Sequence, residues 1–397
     1  MAFGEKLKPC VAGSFRTIRE MHLKAKSAGT LQKLVADEWF LGVSLATTLA
    51  FAAAGGRVES LLSDPLWLSL IFVWLFGTVM GSALAVARHA DALAENLGEP
   101  YGTIVLTLSV TVIEVMSITA VMLHGENNPT LVRDTLFAIV MIILGGMVGT
   151  ALLLGGVRHR EQHYNLQGAN TYLSVIIPLA LLTLSLPNFT VTTPGPTLSS
   201  SQQVFLVVMS VGLYCAFLAI QTGRHRSYFT LEEGQGKPAA HTSRKAKPSL
   251  PLHAALLIVY MLPVALLAEE LALPIDYFIE TLRAPAALGG VIIAALVAMP
   301  EAIGATSAAL VNNVQRSINI SLGSVLATIG LTVPVMLAIS HFTSHEVYLG
   351  LSSANSLLLA VMLVVSVVTF ASGRTNILQG AVHLMLFAAF LMLIFQA

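Results

Sequence analysis

Apolar runs dominate this chain, and their lengths are the first constraint on its fold. Crossing about 30 Å of hydrocarbon takes roughly 20 helical residues. Eleven runs approach or exceed that length, near 39–55, 66–87, 101–123, 131–156, 171–188, 203–222, 252–268, 284–310, 317–342, 346–371 and 376–396. The first and seventh are the shortest. Most connectors are brief, and two are longer. Residues 187–201 carry Pro, Thr and Ser without charge, whereas 223–251 carry Gly, Lys, Arg and three prolines and read as a hydrophilic linker. Residues 1–38 read as a basic cytoplasmic tail with seven Lys/Arg and four acids. With the first apolar run starting only at Trp39, the tail is an orientation signal rather than a secretory signal peptide.

Counting Lys and Arg around eleven spans, with the N-terminus in the cytoplasm, puts all but three of the 21 on the inner side. The three outside are Arg57, Arg133 and Arg283. A different number of spans would scramble that bias. The predicted fold is therefore an all-α polytopic membrane protein of about 11 transmembrane helices, with its C-terminus outside. The parts are the tail 1–38, a first helix and loop 39–65, a five-helix repeat 66–222, the linker 223–251 and a second five-helix repeat 252–397. Five is odd, so the two repeats must be inverted relative to each other. The third run, "GTIVLTLSVTVIEVMSITAVML", and the eighth, "LGGVIIAALVAMPEAIGATSAALV", each hold one central glutamate. Each is followed by a connector with an Asn pair and an Arg, then by a long Gly-rich run.

Composition adds exclusions. Only 11% of residues are charged and mean hydropathy is +0.79, against roughly 25% charged in soluble domains. Formal net charge is zero, so no nucleic acid partner is implied. The lipid bilayer and transported ions are the expected partners, and no cofactor is expected. Cys10 and Cys215 form no metal or disulfide pattern. There is no P-loop, H-E-x-x-H or G-x-S-x-G, so neither ATP coupling nor a membrane enzyme is indicated.

Chemistry concentrates on Glu114 and Glu301. A charge at the centre of a spanning helix costs about 2.5–3.5 kcal/mol on insertion scales, which makes an intramembrane carboxylate a functional candidate. No run offers a basic partner at matching depth. A carboxylate binds a hard cation or a proton at the same oxygens, and desolvation favours the protonated form. Two glutamates can thus be neutralised by one divalent cation or two protons. If only the neutral site crosses between inward and outward states, exchange is obligatory. Thr107, Thr111 and Ser117 share the face of Glu114 and are candidate neutral ligands. Pro300 is expected to disturb its helix and free a carbonyl such as that of Val297. Gly304 is expected to permit close helix approach. Ser324, Thr328 and Thr332 on the following run are further ligand candidates.

Glu99 is a candidate ion-entrance position, as is the outer segment with Glu269, Glu270, Asp276 and Glu280. A solvated interfacial charge is the competing reading for both. His383 is read as a packing residue before a proton relay. His159 and His163, at i and i+4, have no further metal ligands near them in sequence.

The segments "ARHADALAENLGEPYGTIVLTLSVTVIEV", "LVRDTLFAIVMIILGG", "SLGSVLATIGLTVPV" and "FASGRTNILQGAVHL" resemble the bacterial ChaA-type antiporters. These form part of the calcium/proton exchanger branch of the calcium:cation antiporter superfamily. The resemblance covers most of 66–397. It implies two inverted five-helix repeats after one helix, with a mid-membrane cation site formed by Glu114 and Glu301. It places the family's Gly-Ser of the second repeat at Gly323 and Ser324. The Gly-Asn before each acid is replaced by Val112-Ile113 and Met299-Pro300, and the first-repeat Gly-Ser by Phe137-Ala138. The resemblance implies cation/proton antiport across a bacterial-type cytoplasmic membrane. Calcium is the first expectation, because a carboxylate pair with neutral oxygens suits a hard divalent ion. Sodium or potassium is the alternative, and a passive cation channel the different-class alternative.

Overall fold

The computed structural model describes residues 38–97, 101–124, 128–230, 250–343 and 345–396. Residues 1–37 of the tail with Cys10, Glu99 and most of the 223–251 linker lie outside the described residues. Eleven long helices follow one another: α1 (Trp39–Ala54), α2 (Pro65–Leu97), α3 (Tyr101–His124), α4 (Leu131–His159), α5 (Leu166–Leu184), α6 (Ser200–Arg224), α7 (Leu250–Glu280), α8 (Ala287–Leu310), α9 (Val314–Thr343), α10 (Ser353–Thr369) and α11 (Ile377–Ile394). Nine of them are long and apolar enough to cross a membrane, and α1 and α10 are shorter apolar helices. The described residues form an all-α bundle, apart from a two-residue antiparallel pairing of Gln162–His163 with Arg374–Thr375.

The ends of the helices are set by local chemistry. Ser199, Ser352, Asn313, Asn165 and Asn376 cap α6, α10, α9, α5 and α11 with side-chain oxygens that accept backbone N–H groups. Hydrophobicity alone misplaced several boundaries. Helix α2 continues ten residues past the expected end at 87, and α7 runs to Glu280 rather than 268. These two helices pack along each other, so their polar ends stay helical after the apolar pattern stops. Glu269, Glu270, Asp276 and Glu280 accordingly lie on α7 rather than in a loop. Residues 346–352, expected to begin the tenth span, are not helical. Their backbone is spent on other connectors, through Tyr348 N–H to Pro129 O at 2.8 Å and Leu351 N–H to Leu184 O at 2.8 Å.

Helices α4 and α9 form the centre. Their apolar windows are 78% and 72% buried, against 44% or less in the other spans. Each is interrupted midway by a π-helical segment, Ile142–Met147 in α4 and Thr328–Thr332 in α9. Each segment sets a glycine against an aromatic residue: Gly145 beside Phe387 of α11, and Gly330 beside Tyr214 of α6. In the expected division of the chain, α6 ends the first five-helix repeat and α11 ends the second. Close helix approaches occur at Gly380 of α11, where an added Cβ would lie 2.5 Å from Leu153 N of α4, and at Gly290 of α8, where it would lie 2.7 Å from Thr135 N.

Outward-facing positions are apolar. Leu357, Val361, Val364 and Val368 form an exposed stripe along α10, and Val204, Phe205 and Val208 do so on α6. A lipid-facing surface accounts for such stripes. Arg88, Arg316 and Arg374 share one end of the bundle: Arg316 pairs with Asp91 near Arg88 on α2, and Gln162, beside α8's end, pairs with the Arg374 strand. Arg133 lies at the other end, where it donates to Gly350 O.

Candidate functional site

Glu114 sits midway along α3 and Glu301 midway along α8, and α9 supplies a hydroxyl to each. Thr328 Oγ1 donates to Glu114 Oε2 at 3.0 Å, and Ser324 Oγ donates to Glu301 Oε2. Elsewhere in the bundle hydroxyls mostly return to their own helix, as Thr135 does to Leu131 O at 2.8 Å and Ser321 to Ser317 O at 2.9 Å. Ser324 and Thr328 are diverted from that default. They are one turn apart, which is a rise of about 6 Å, so the two carboxylates are held at successive levels of α9. Thr328 also begins the π segment, and such segments recur at functional sites because they break the regular ladder.

Among the described residues neither glutamate has an ion-pair partner. No group of three or more His, Cys, Asp or Glu side chains there is placed to hold a metal ion.

A cavity of about 500 Å³ reaches both glutamates and extends to Asp91, Glu95 and Arg316 at the helix ends. Thr107, Thr111, Pro300, Gly304, Gly323 and Ser324 line it, whereas Ser117, Val297, Thr328 and Thr332 do not. Thr111 Oγ1 is engaged with Thr107 O at 2.9 Å. Pro300 lies within continuous α8 rather than breaking it. Because a helical N–H bonds the carbonyl four residues back, the acceptor left without its usual donor is Leu296, not Val297.

Gly304 and Gly323 do not mediate close helix approach. A Cβ on either would make only ordinary contacts, 3.7 Å to Ile320 and 3.6 Å to the Tyr172 hydroxyl. His383 is fully buried, donates from Nδ1 to Leu144 O at 2.6 Å and accepts at Nε2 from Thr369 Oγ1 at 3.0 Å. With both nitrogens engaged it is a packing residue. His159 bonds Leu310 O at 2.8 Å, closing the end of α8 rather than binding metal.

Sequence reasoning missed the mouth of the cavity. Asp91 and Glu95 lie i, i+4 on the extension of α2, and Arg316 Nη2 stands 3.9 Å from Asp91 Oδ1. The i, i+4 acid spacing just beyond an apolar run was the available signal. Tyr172, whose hydroxyl accepts from Gln221 Nε2 at 3.0 Å, and Tyr214 also line the cavity. In sequence they are indistinguishable from core aromatics.

The family model described as "Sodium/calcium exchanger protein" matches residues 67–223 and 252–396. The chain is 40% identical over 340 residues to the sodium-potassium/proton antiporter ChaA of Escherichia coli, covering 83% of this chain and 90% of that protein. It is 45% identical over 320 residues to the putative ionic transporter y4hA of Sinorhizobium fredii, covering 80% and 86%. The solved structure of native YfkE superposes with a TM-score of 0.67 at 19% identity, covering 88% of this chain and all of that one.

Proposed function

The chain belongs to the sodium/calcium exchanger protein family, and from that premise we propose that it is a secondary cation/proton antiporter working by alternating access at Glu114 and Glu301. The cation expected first is Ca2+, exported from the cytoplasm against inward H+. The observation that carries this reading is the pair of carboxylates, without basic partners among the described residues, held by α9 hydroxyls where a polar-mouthed cavity reaches them. One divalent ion or two protons neutralises such a pair, and a neutral site is the one a hydrocarbon-lined barrier lets change sides. Na+ or K+ is the second reading, favoured by the 40% identity to a relative named as a sodium-potassium/proton antiporter. A passive channel fits less well, because Ser117, Thr328 and Thr332 beyond the carboxylates are buried rather than lining a continuous pore.

The membrane is the bacterial-type cytoplasmic one, with the cavity mouth, Arg88 and Arg316 inside and the C-terminus outside. The moving parts are the five-helix halves, 66–222 and 252–397. Everted vesicles carrying a pH gradient test the function. Addition of calcium, sodium or potassium salt dissipates the gradient through wild-type protein, and Glu114→Gln and Glu301→Gln each slow this at least 100-fold. Antiport is rejected if no cation dissipates the gradient, and the site is rejected if both variants exchange normally.

A further inference from the structure

Helices α2 and α7 end on the same acidic spacing. The end of α2 reads "DALAE", Asp91 to Glu95, and the end of α7 reads "DYFIE", Asp276 to Glu280. In each, the aspartate is partly buried and the glutamate exposed. The two central helices match in a similar way: Arg133 is the third residue of α4 and Arg316 the third of α9. In the expected division of the chain, α2 and α7 begin the two repeats, and α4 and α9 stand third in them. Each repeat then gives an acidic helix end to one side of the bundle and an arginine to the other.

At the cavity mouth an acidic end and an arginine meet. Arg316 Nη2 stands 3.9 Å from Asp91 Oδ1, and its side chain is 60% exposed. At the opposite end Arg133 is engaged differently and its side chain is 19% exposed. Its Nε donates to Asp134 Oδ1 at 2.8 Å and its Nη1 to Gly350 O at 3.1 Å. The Thr130 hydroxyl holds the second Asp134 oxygen at 3.0 Å. The residue after Arg316 is Ser317, so α9 offers its arginine no such neighbouring carboxylate.

The start of α8 fills the outer end. A Cβ added to Gly289 would lie 3.1 Å from Ile275 and 3.3 Å from Ile279 of α7, and 3.8 Å from Leu131 of α4. Ile275 and Ile279 directly precede Asp276 and Glu280 in the chain, and Leu131 is two residues before Arg133. The α7 acids and Arg133 therefore belong to the same end of the bundle, with α8 packed against both of their helices.

We propose that Arg133 is an outer gate residue with two alternative carboxylate partners. With the outer side closed, as here, Asp134 and Gly350 hold it. When α7 parts from α4 and α8 and the outer side opens, Arg133 pairs with Asp276, and the outer mouth takes the form that Asp91, Glu95 and Arg316 give the inner one. The inference rests on the alternating-access reading above and deepens it by naming the bond exchanged as the outer side opens. One arginine against two acids leaves each mouth a net negative charge, which draws cations in.

The test uses the full-length chain in intact cells, in a Cys10→Ser, Cys215→Ser background. Ile275→Cys is the reporter, because Ile275 is only 1% exposed with the outer side closed. A membrane-impermeant methanethiosulfonate reaches it from outside only while that side is open. Asp134→Asn is expected to raise the labelling rate about 10-fold, and Asp276→Asn to lower it about 10-fold, each by removing one charged partner of Arg133. Thr130→Val, which loosens the closed clasp without touching Arg133, is expected to raise the rate by less. Asp276→Glu is expected to return it toward wild type. Loosened packing would move all of these variants in one direction. Changes in one direction, unchanged rates, or no labelling in any variant overturn the gate. Any of those results beside normal exchange of a cation for H+ leaves antiport standing. Opposite shifts in a protein that exchanges no cation keep the gate and reject antiport.

Discussion

Helices α4 and α9 use one backbone device for two purposes. Both are central, both carry a π segment midway, and both set a segment glycine against an aromatic from the closing helix of the opposite half. In α4 the segment reads IILGGM, and the Leu144 carbonyl is taken by His383. In α9 it reads TIGLT, and Thr328 reaches across to Glu114. A π segment loosens the regular ladder, and the side chains at that point decide what the loosened groups do. Aliphatic residues and an imidazole make α4 a packing seam. Threonines make α9 a ligand-bearing surface. The two helices share a backbone form, while the hydroxyls that reach the glutamates are carried by only one of them.

Removing the polar character of α9 is expected to have the largest effect. Ser324→Ala with Thr328→Val takes one hydrogen bond from each carboxylate. At about 1.5 kcal/mol or more per bond to a charged group, the loss is on the order of 100-fold in exchange, measured as the rate of gradient dissipation in everted vesicles. Thr135→Ala on α4, which loses only a bond to its own helix, leaves that rate close to wild type. Equal losses from both would erase the distinction between the helices. Next in size is Gly380→Val, which forces side-chain atoms against Gly149 and Leu153 of α4. It is expected to destabilise the purified protein by about 1–3 kcal/mol or more, read by thermal melting. Gly304→Ala and Gly323→Ala, with room for a methyl group, leave the melting temperature near wild type. The smallest effect is expected for His383→Ala. It orphans the Leu144 carbonyl at a cost of about 1–2 kcal/mol, lowering the melting temperature while the cation KM stays the same. A raised KM would make the α4 break part of the site after all.

The number of helices was legible because 20-residue apolar runs and the Lys/Arg bias constrain each other. Helix ends were less legible. Apolar pattern reports contact with lipid and core, while α2 and α7 continue past both by packing on each other. Glu114 and Glu301 stood out because a lone carboxylate in an apolar helix has few structural explanations. Ser324 and Thr328 were named as candidates, but nothing local separates a hydroxyl that reaches across a bundle from one that folds back on its own helix. Gly304 was assigned a close approach of the kind that Gly290 and Gly380 make instead. One glycine in a membrane helix looks like another until the neighbouring helix is placed. The mouth residues Asp91 and Glu95 were hidden by the early end assigned to α2.

The one-turn spacing of Ser324 and Thr328 has an electrical meaning. It separates the two carboxylates by about 6 Å along α9, roughly a fifth of the hydrocarbon thickness. A unit charge crossing 100 mV exchanges about 2.3 kcal/mol with the field. A charge passed from the level of Glu301 to that of Glu114 would exchange about 0.5 kcal/mol of it. Membrane voltage would then act on this protein before any helix has moved, by tilting the balance between its two carboxylates.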